Sequence, residues 1–272
     1  MSAFKQVGKQ VSREAGRMGD NPWLRRLARL GYVGSGIIHL LIGWIAVQVA
    51  LGGGGEADQG GALQALRSTP FGSVLLWVCV VGFFALALFE ALVGALDDGE
   101  VADRAKAAGK AILYAVMGVT ATTFAMGGSK DSGKSSADLT ATLMHVPLGR
   151  VLVGLLGVGV IGAGAYHVYK GVAKTFLQDV TTTGGGAVGK GVELSGLIGY
   201  TAKGVALAVV GGLFILAAWQ ADPEEATGLD GALKTLADQP LGTVLLLVVA
   251  LGLVAFGVYS FARARYARMQ DV

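Results

Sequence analysis

Among the ionisable residues inside long apolar stretches of the sequence, four are the first candidates for chemistry: His39, Glu90, His167 and Lys203. An ionised side chain near the middle of a bilayer costs about 2.5–3.5 kcal/mol on insertion scales, so such residues face other protein and pair. By helical rise, Glu90 and Lys203 each lie roughly 10 Å from the nearer end of their stretch, His39 roughly 12 Å and His167 roughly 4 Å. Equal depth makes a structural Glu90–Lys203 ion pair the expectation, with His39 bonded to a carbonyl or bridging the two. The competing reading is a polar path for protons or a small solute. Two histidines on different helices are also the minimum for haem ligation. Here their depths differ by about 8 Å, and no CxxCH is present, so no cofactor is expected.

Other motifs are weaker. Gly184-Gly185-Gly186-Ala187-Val188-Gly189-Lys190-Gly191 has the glycine and lysine spacing of a phosphate-binding loop. Gly191 stands where the metal-binding hydroxyl belongs and no strand precedes, so the run reads as a linker. His145 reads as a solvated loop residue. Cys79 is the single cysteine, which excludes an intramolecular disulfide framework. No nucleophile–base set emerges, and no enzyme activity is expected.

The elements that hold these residues follow from composition. The 272 residues are 53% hydrophobic and 15% charged, with mean hydropathy +0.59 and 44 glycines. Disorder and collagen are excluded. Six stretches, at 31–51, 71–96, 107–126, 148–169, 197–219 and 241–262, have the ~20 residues needed to cross a hydrocarbon core. The expected fold is therefore an all-α membrane protein with six transmembrane helices. The net charge of +3 comes from basic residues flanking the apolar runs, so it reads as an orientation signal rather than a nucleic-acid footprint. Sixteen of the 22 Lys and Arg residues fall on the side of the termini, and five on the other. That bias predicts a bacterial plasma-membrane protein with cytoplasmic N- and C-termini. Phe4, Val7, Val11 and Met18 recur at helical spacing among basic residues. They predict an N-terminal amphipathic helix on anionic lipid of the cytoplasmic leaflet. Asn21-Pro22 predicts a helix start, with Trp23 as an interfacial anchor.

The chain also repeats itself. Aligning Pro70, Pro147 and Pro240 brings Gly72, Gly149 and Gly242 into register, then Gly82, Gly159 and Gly252, and Phe89, Tyr166 and Tyr259. Tyr32, Tyr114 and Tyr200 match upstream, each followed four residues later by glycine. The expected organisation is three tandem parallel helical hairpins. A segment at 1–30 precedes repeat 1 (31–96), repeat 2 (107–173), a linker (174–193), repeat 3 (194–265) and a tail (266–272). Proline is expected to open the second helix of each hairpin. Gly61-Ala62-Leu63 and Gly231-Ala232-Leu233 predict short interfacial helical turns in the first and third outer loops. Gly82, Gly159 and Gly252 are expected to pack against neighbouring helices. Glu90, His167 and Ser260 share one repeat position and would line a constriction if they faced a common axis.

Several motifs in order carry a resemblance: Asn21-Pro22-Trp23-Leu24, Gly199-Tyr200-Thr201-Ala202-Lys203-Gly204, Gly228-Leu229-Asp230-Gly231-Ala232-Leu233, Gln239-Pro240-Leu241-Gly242 and Ala255-Phe256-Gly257-Val258-Tyr259. Across about residues 21–269 the sequence resembles the DUF1206 family of bacterial membrane proteins, a domain of unknown function repeated three times. Lys203 stands where that family often has Arg, which keeps the charge. The resemblance implies fold and location but no activity, and so no catalytic residues. The expected role is a scaffold or accessory protein that binds lipid, another membrane protein or a second copy of itself. The alternative is a small-solute or proton transporter.

Overall fold

A computed structural model of the chain describes residues 21–96 and 101–268. Of the amphipathic segment expected over 1–30, residues 1–20 lie outside them, as do the last residues of the tail. The described residues form nine α-helices. Six are long and apolar enough to span: α1 (Pro22–Ala50), α3 (Gly72–Leu96), α4 (Val101–Ala125), α6 (Gly149–Val172), α7 (Gly186–Gln220) and α9 (Gly242–Tyr266). The protein is a multi-pass membrane protein, because helices satisfy their backbone groups internally where no water can. Three short helices, α2 (Gln59–Arg67), α5 (Ser132–Met144) and α8 (Gly228–Ala237), connect spans at the end away from the termini.

Some bounds differ from expectation. Asn21 caps α1, accepting from Trp23 N–H at 2.9 Å, and the helix then runs unbroken into the first span. The second half of the expected 174–193 linker is helical: α7 starts at Gly186 and carries Gly189 and Gly191 inside it. The glycine run turns only at Gly184–Gly186, where φ is positive. The prolines do not open helices. Pro70, Pro147 and Pro240 occupy turns closed by Gly72 N–H to Thr69 O, Gly149 N–H to Val146 O and Gly242 N–H to Gln239 O. Proline presets φ for the second position of such a turn. The glycine that follows has a steric reason. A Cβ there would stand 2.1, 1.8 and 1.8 Å from carbonyl oxygens of Leu66, Leu143 and Ala237, at the end of the preceding short helix.

The spans neighbour one another in the order α4, α3, α1, α9, α7, α6. The arc is open between α4 and α6, the two helices of the second repeat, which make no extended contact. In the most apolar stretch of α6 only 17% of residues are buried, against 50% in α1, α3 and α9. What holds α6 is α7. Gly157, Gly164 and Gly171 face Gly211, Gly204 and Leu197 in antiparallel register. A Cβ on them would come 2.7, 2.7 and 2.9 Å from the facing carbonyl oxygens. The seven-residue spacing keeps one stripe on the partner at a shallow crossing.

Gly82 and Gly252 also lie on neighbours: a Cβ would stand 2.4 Å from Gly31 N and 2.1 Å from Ala202 Cβ. Gly159 does not, since no atom lies within 4 Å of a Cβ built there. The expectation for Gly159 is corrected; Gly157 and Gly164 carry the helix contact instead.

In the half remote from the termini the core is apolar. Ile38, Ile42, Phe83, Phe124, Leu246 and Leu253 interlock there beneath Leu63 of α2 and Leu233 of α8. The short helices are tied together by Gly60 N–H to Ser132 Oγ (3.1 Å) and Ala57 N–H to Asp230 Oδ1 (2.8 Å). The helix α5 was not expected; loop two lacks the Gly-Ala-Leu signature, and Asp131 caps it by accepting from Lys134 N–H. Asp58 caps α2, accepting from Gly61 N–H at 2.9 Å, and is 3% exposed. Burial, opposed by that hydrogen bond and aided by Asp230, raises its pKa.

Replacing Gly164 or Gly211 by Leu should overpack the α6–α7 seam and cost about 1–3 kcal/mol. Gly159→Leu should stay within about 0.5 kcal/mol; thermal melting in detergent distinguishes the two classes. A carboxyl whose folded pKa is raised adds stability as pH falls from the raised value towards the ordinary one, because the folded state binds the proton first. Melting temperature should therefore include a gain on acidification towards about pH 4, which Asp58→Asn abolishes while keeping the cap.

Candidate functional site

The half of the bundle nearer the termini is polar inside. Its lower border is a linker folded upward: a 3-10 turn at Thr175–Asp179 anchored by Phe176, which is fully buried. Tyr259 Oη donates to Phe176 O at 2.8 Å, and the Phe176 ring stacks on Tyr200 at 5.7 Å. Gly196 makes room for that ring; a Cβ would come within 2.3 Å of it. Beyond the turn, Thr181 N–H donates to Tyr266 O and Arg268 N–H to Asp179 O, which ties the linker to the end of α9.

Asp179 is therefore carried into the interior as the centre of a charge network. Lys170 Nζ approaches Asp179 Oδ2 at 2.8 Å, Tyr200 Oη donates to Oδ2 at 3.3 Å, and Arg263 stands 3.9 Å away. Arg263 in turn donates to Tyr32 Oη at 3.2 Å and lies 4.4 Å over its ring. Lys170 and Arg263 occupy the same repeat position, 23 residues after Pro147 and Pro240. Both cations converge on one carboxylate.

Lys203 sits deeper. Its ammonium donates to His39 Nε2 at 3.2 Å and lies 4.2 Å from the Phe256 ring centroid, a cation–π contact. His39 Nδ1 contacts Ser35 O at 2.8 Å. A neutral imidazole with its proton on Nδ1 satisfies both contacts, since Nε2 is then free to accept. Both ring nitrogens are hydrogen-bonded in this arrangement. His167 Nδ1 contacts Ala163 O at 2.8 Å, and its ring lies 5.7 Å from Tyr200.

The expected Glu90–Lys203 pair does not form. Glu90 is buried and pairs with Lys110 on the adjacent α4, Nζ to Oε2 3.3 Å. Helices α3 and α7 are not neighbours, so equal depth does not bring their side chains together. The structure does join Lys203 to His39. Glu90, His167 and Ser260 form no ring: Ser260 Oγ donates to Phe256 O on its own helix, and His167 bonds its own α6. His145 is exposed at the end of α5. Sequence reasoning gave no site role to Lys110, Lys170 and Arg263, near the ends of spans, or to Asp179 in the linker. It aligned Tyr32, Tyr114 and Tyr200 without giving them a site. The signal was the repeat itself, which places Lys170 and Arg263 in one register. Among the described residues no group of three or more His, Cys, Asp or Glu is arranged to hold a metal ion.

The model of the Domain of Unknown Function DUF1206 matches residues 30–97, 105–174 and 198–267. The chain belongs to this family. It is also similar to the uncharacterized protein YxxB of Bacillus subtilis (strain 168), 32% identical over 260 residues, covering 91% of this chain and 93% of that one. No solved structure matches it. The three matched stretches each contain one hairpin of two spans, so this DUF1206 chain closes its polar interior with residues from all three repeats.

Asp179→Asn should strand Arg263 and Lys170 together. Asp179 is 21% exposed, so we expect a loss of about 2–3 kcal/mol, below the 3–5 kcal/mol of a fully buried pair. Adding Arg263→Met should recover part of it in the same melting assay.

Proposed function

We propose that this protein is a non-enzymatic binding or accessory protein of the bacterial plasma membrane, with cytoplasmic termini, rather than a transporter. One observation carries the reading: the charged groups between the spans stop at Lys203 and His39, and in the half beyond them the spans pack apolar side chains, with buried Thr120 bonded to its own helix and Asp58 and Thr140 confined to the short-helix layer. A solute path would need polar groups or space through that half. The polar groups below it largely satisfy one another, as structural and ligand-holding networks do.

The orientation rests on the basic residues. Of the few at the far end, two are absorbed by helix ends. Arg67 donates to Gly127 O and Gly128 O just past α4, and Arg150 to Ala218 O and Trp219 O in the last turn of α7. Cations are favoured at helix C-termini, so these residues have a local reason to be there. The exposed basic residues, Lys190 among them, are mostly at the other end.

The test uses the full chain with Cys79→Ser, since Cys79 is buried. Single cysteines replace Ser68 or Lys190, both exposed. An impermeant maleimide should label position 68 in intact cells and position 190 only after permeabilisation; the opposite pattern reverses the topology. In proteoliposomes, proton or small-anion flux should equal that of empty vesicles. Flux that Glu90→Gln abolishes with folding intact would give the interior to transport.

A further inference from the structure

The second hairpin is splayed, and the repeats show where its sequence differs. In repeat 1, Gly31 receives Leu86, four residues after Gly82; in repeat 3, Gly199 receives Phe256, four residues after Gly252. Gly31 and Gly199 each precede the repeated tyrosine. In repeat 2 that position is Leu113, which is 57% exposed. The glycine on the opposite helix is kept as Gly159, yet nothing lies within 4 Å of a Cβ there, nor at Gly162 one turn on. Where the two close-packed hairpins have glycine, the splayed hairpin has this exposed leucine.

The terminus-side end of this opening is cationic. Lys170 and Arg263 meet at Asp179, 2.8 and 3.9 Å from its Oδ2, while Lys110 of α4 lies 3.3 Å from Glu90 and Lys203 lies 4.2 Å from the Phe256 ring. Three of the cations share two carboxylates, Glu90 and Asp179. Lys203 has no carboxylate among the described residues, and Arg263 Nε is buried with no hydrogen-bond partner. Uncompensated positive charge within a bilayer-spanning segment is costly unless an anion joins it.

We propose that this opening is a binding site for one anionic phospholipid. Its phosphodiester sits among Lys110, Lys170, Arg263 and Lys203, and an acyl chain lies between α4 and α6 against Leu113 and Gly159. A lipid fits better than a soluble anion for two reasons. The polar interior is covered below by Phe176 and its turn, and above by the apolar core, whereas the side opening faces the plane of the membrane. The faces that α4 and α6 leave uncovered are apolar: Leu113 and Val116 are exposed on one helix, and Leu156 and Val158 beside Gly159 on the other. The inference rests on the binding-protein reading and names its ligand.

The test is lipid retention by the purified full chain. Delipidated protein is exposed to vesicles of equimolar phosphatidylglycerol and phosphatidylcholine, re-extracted in mild detergent and weighed by native mass spectrometry. One phosphatidylglycerol should be retained about tenfold over phosphatidylcholine, the scale of one good charge contact. Lys203→Gln should abolish the preference. Gly159→Phe, which enters open space and leaves every charge in place, should abolish retention, while Arg67→Gln at the far end should bind as the parent does. Equal retention of the two lipids by the parent overturns the proposal, as does normal binding by Gly159→Phe. Displacement by millimolar inorganic phosphate overturns it too, in favour of a soluble anion. Failure here with silent proteoliposomes leaves the accessory reading standing; flux removes that reading whatever the lipid result.

Discussion

Backbone-to-backbone approach at glycine is the constraint from which this structure follows. Lipid chains are as apolar as leucine, so helices in a bilayer associate through close packing rather than through escape from water. Wherever two spans are held, a glycine lets them touch: Gly31 with Gly82, Gly36 with Gly257, Gly157 with Gly211 and Gly164 with Gly204. Wherever a span lacks such a partner, it stands apart. The arc of six helices, its open side and the placement of the polar interior are consequences of where those close approaches occur.

The polar interior depends on this in turn. Lys170 and His167 are brought over Tyr200 only because α6 is fastened to α7 along its whole length. Arg263 reaches Tyr32 because α9 packs on α1. The folded linker then supplies the one carboxylate that two of these cations share. Neither the network nor its enclosure exists in any single repeat.

Spans, hairpin number and family were legible in the sequence because they rest on length, hydropathy and period, which are properties of the chain taken one segment at a time. Which helix stands beside which was not. Glu90 meets Lys110 and Lys203 meets His39 because of neighbour order, which no segment records by itself. The 3-10 turn that carries Asp179 was also hidden. Its sequence has no strong periodicity, and its fold is imposed by the pocket that Gly196 leaves for Phe176. Gly157-x6-Gly164-x6-Gly171 was readable as a seven-residue stripe, and it marks the best-held helix pair more clearly than the aligned Gly159 does.

The α6–α7 seam also sets an order of biogenesis. Helix α6 is synthesised before α7, and its hairpin mate α4 does not receive it. Its glycine face must wait in the bilayer until Gly204 and Gly211 arrive, and Asp179 cannot be drawn inward until Tyr200, Tyr259 and Arg263 follow. Assembly of this protein is therefore completed from its C-terminal end, and a chain interrupted within the third repeat leaves the second without its structural support.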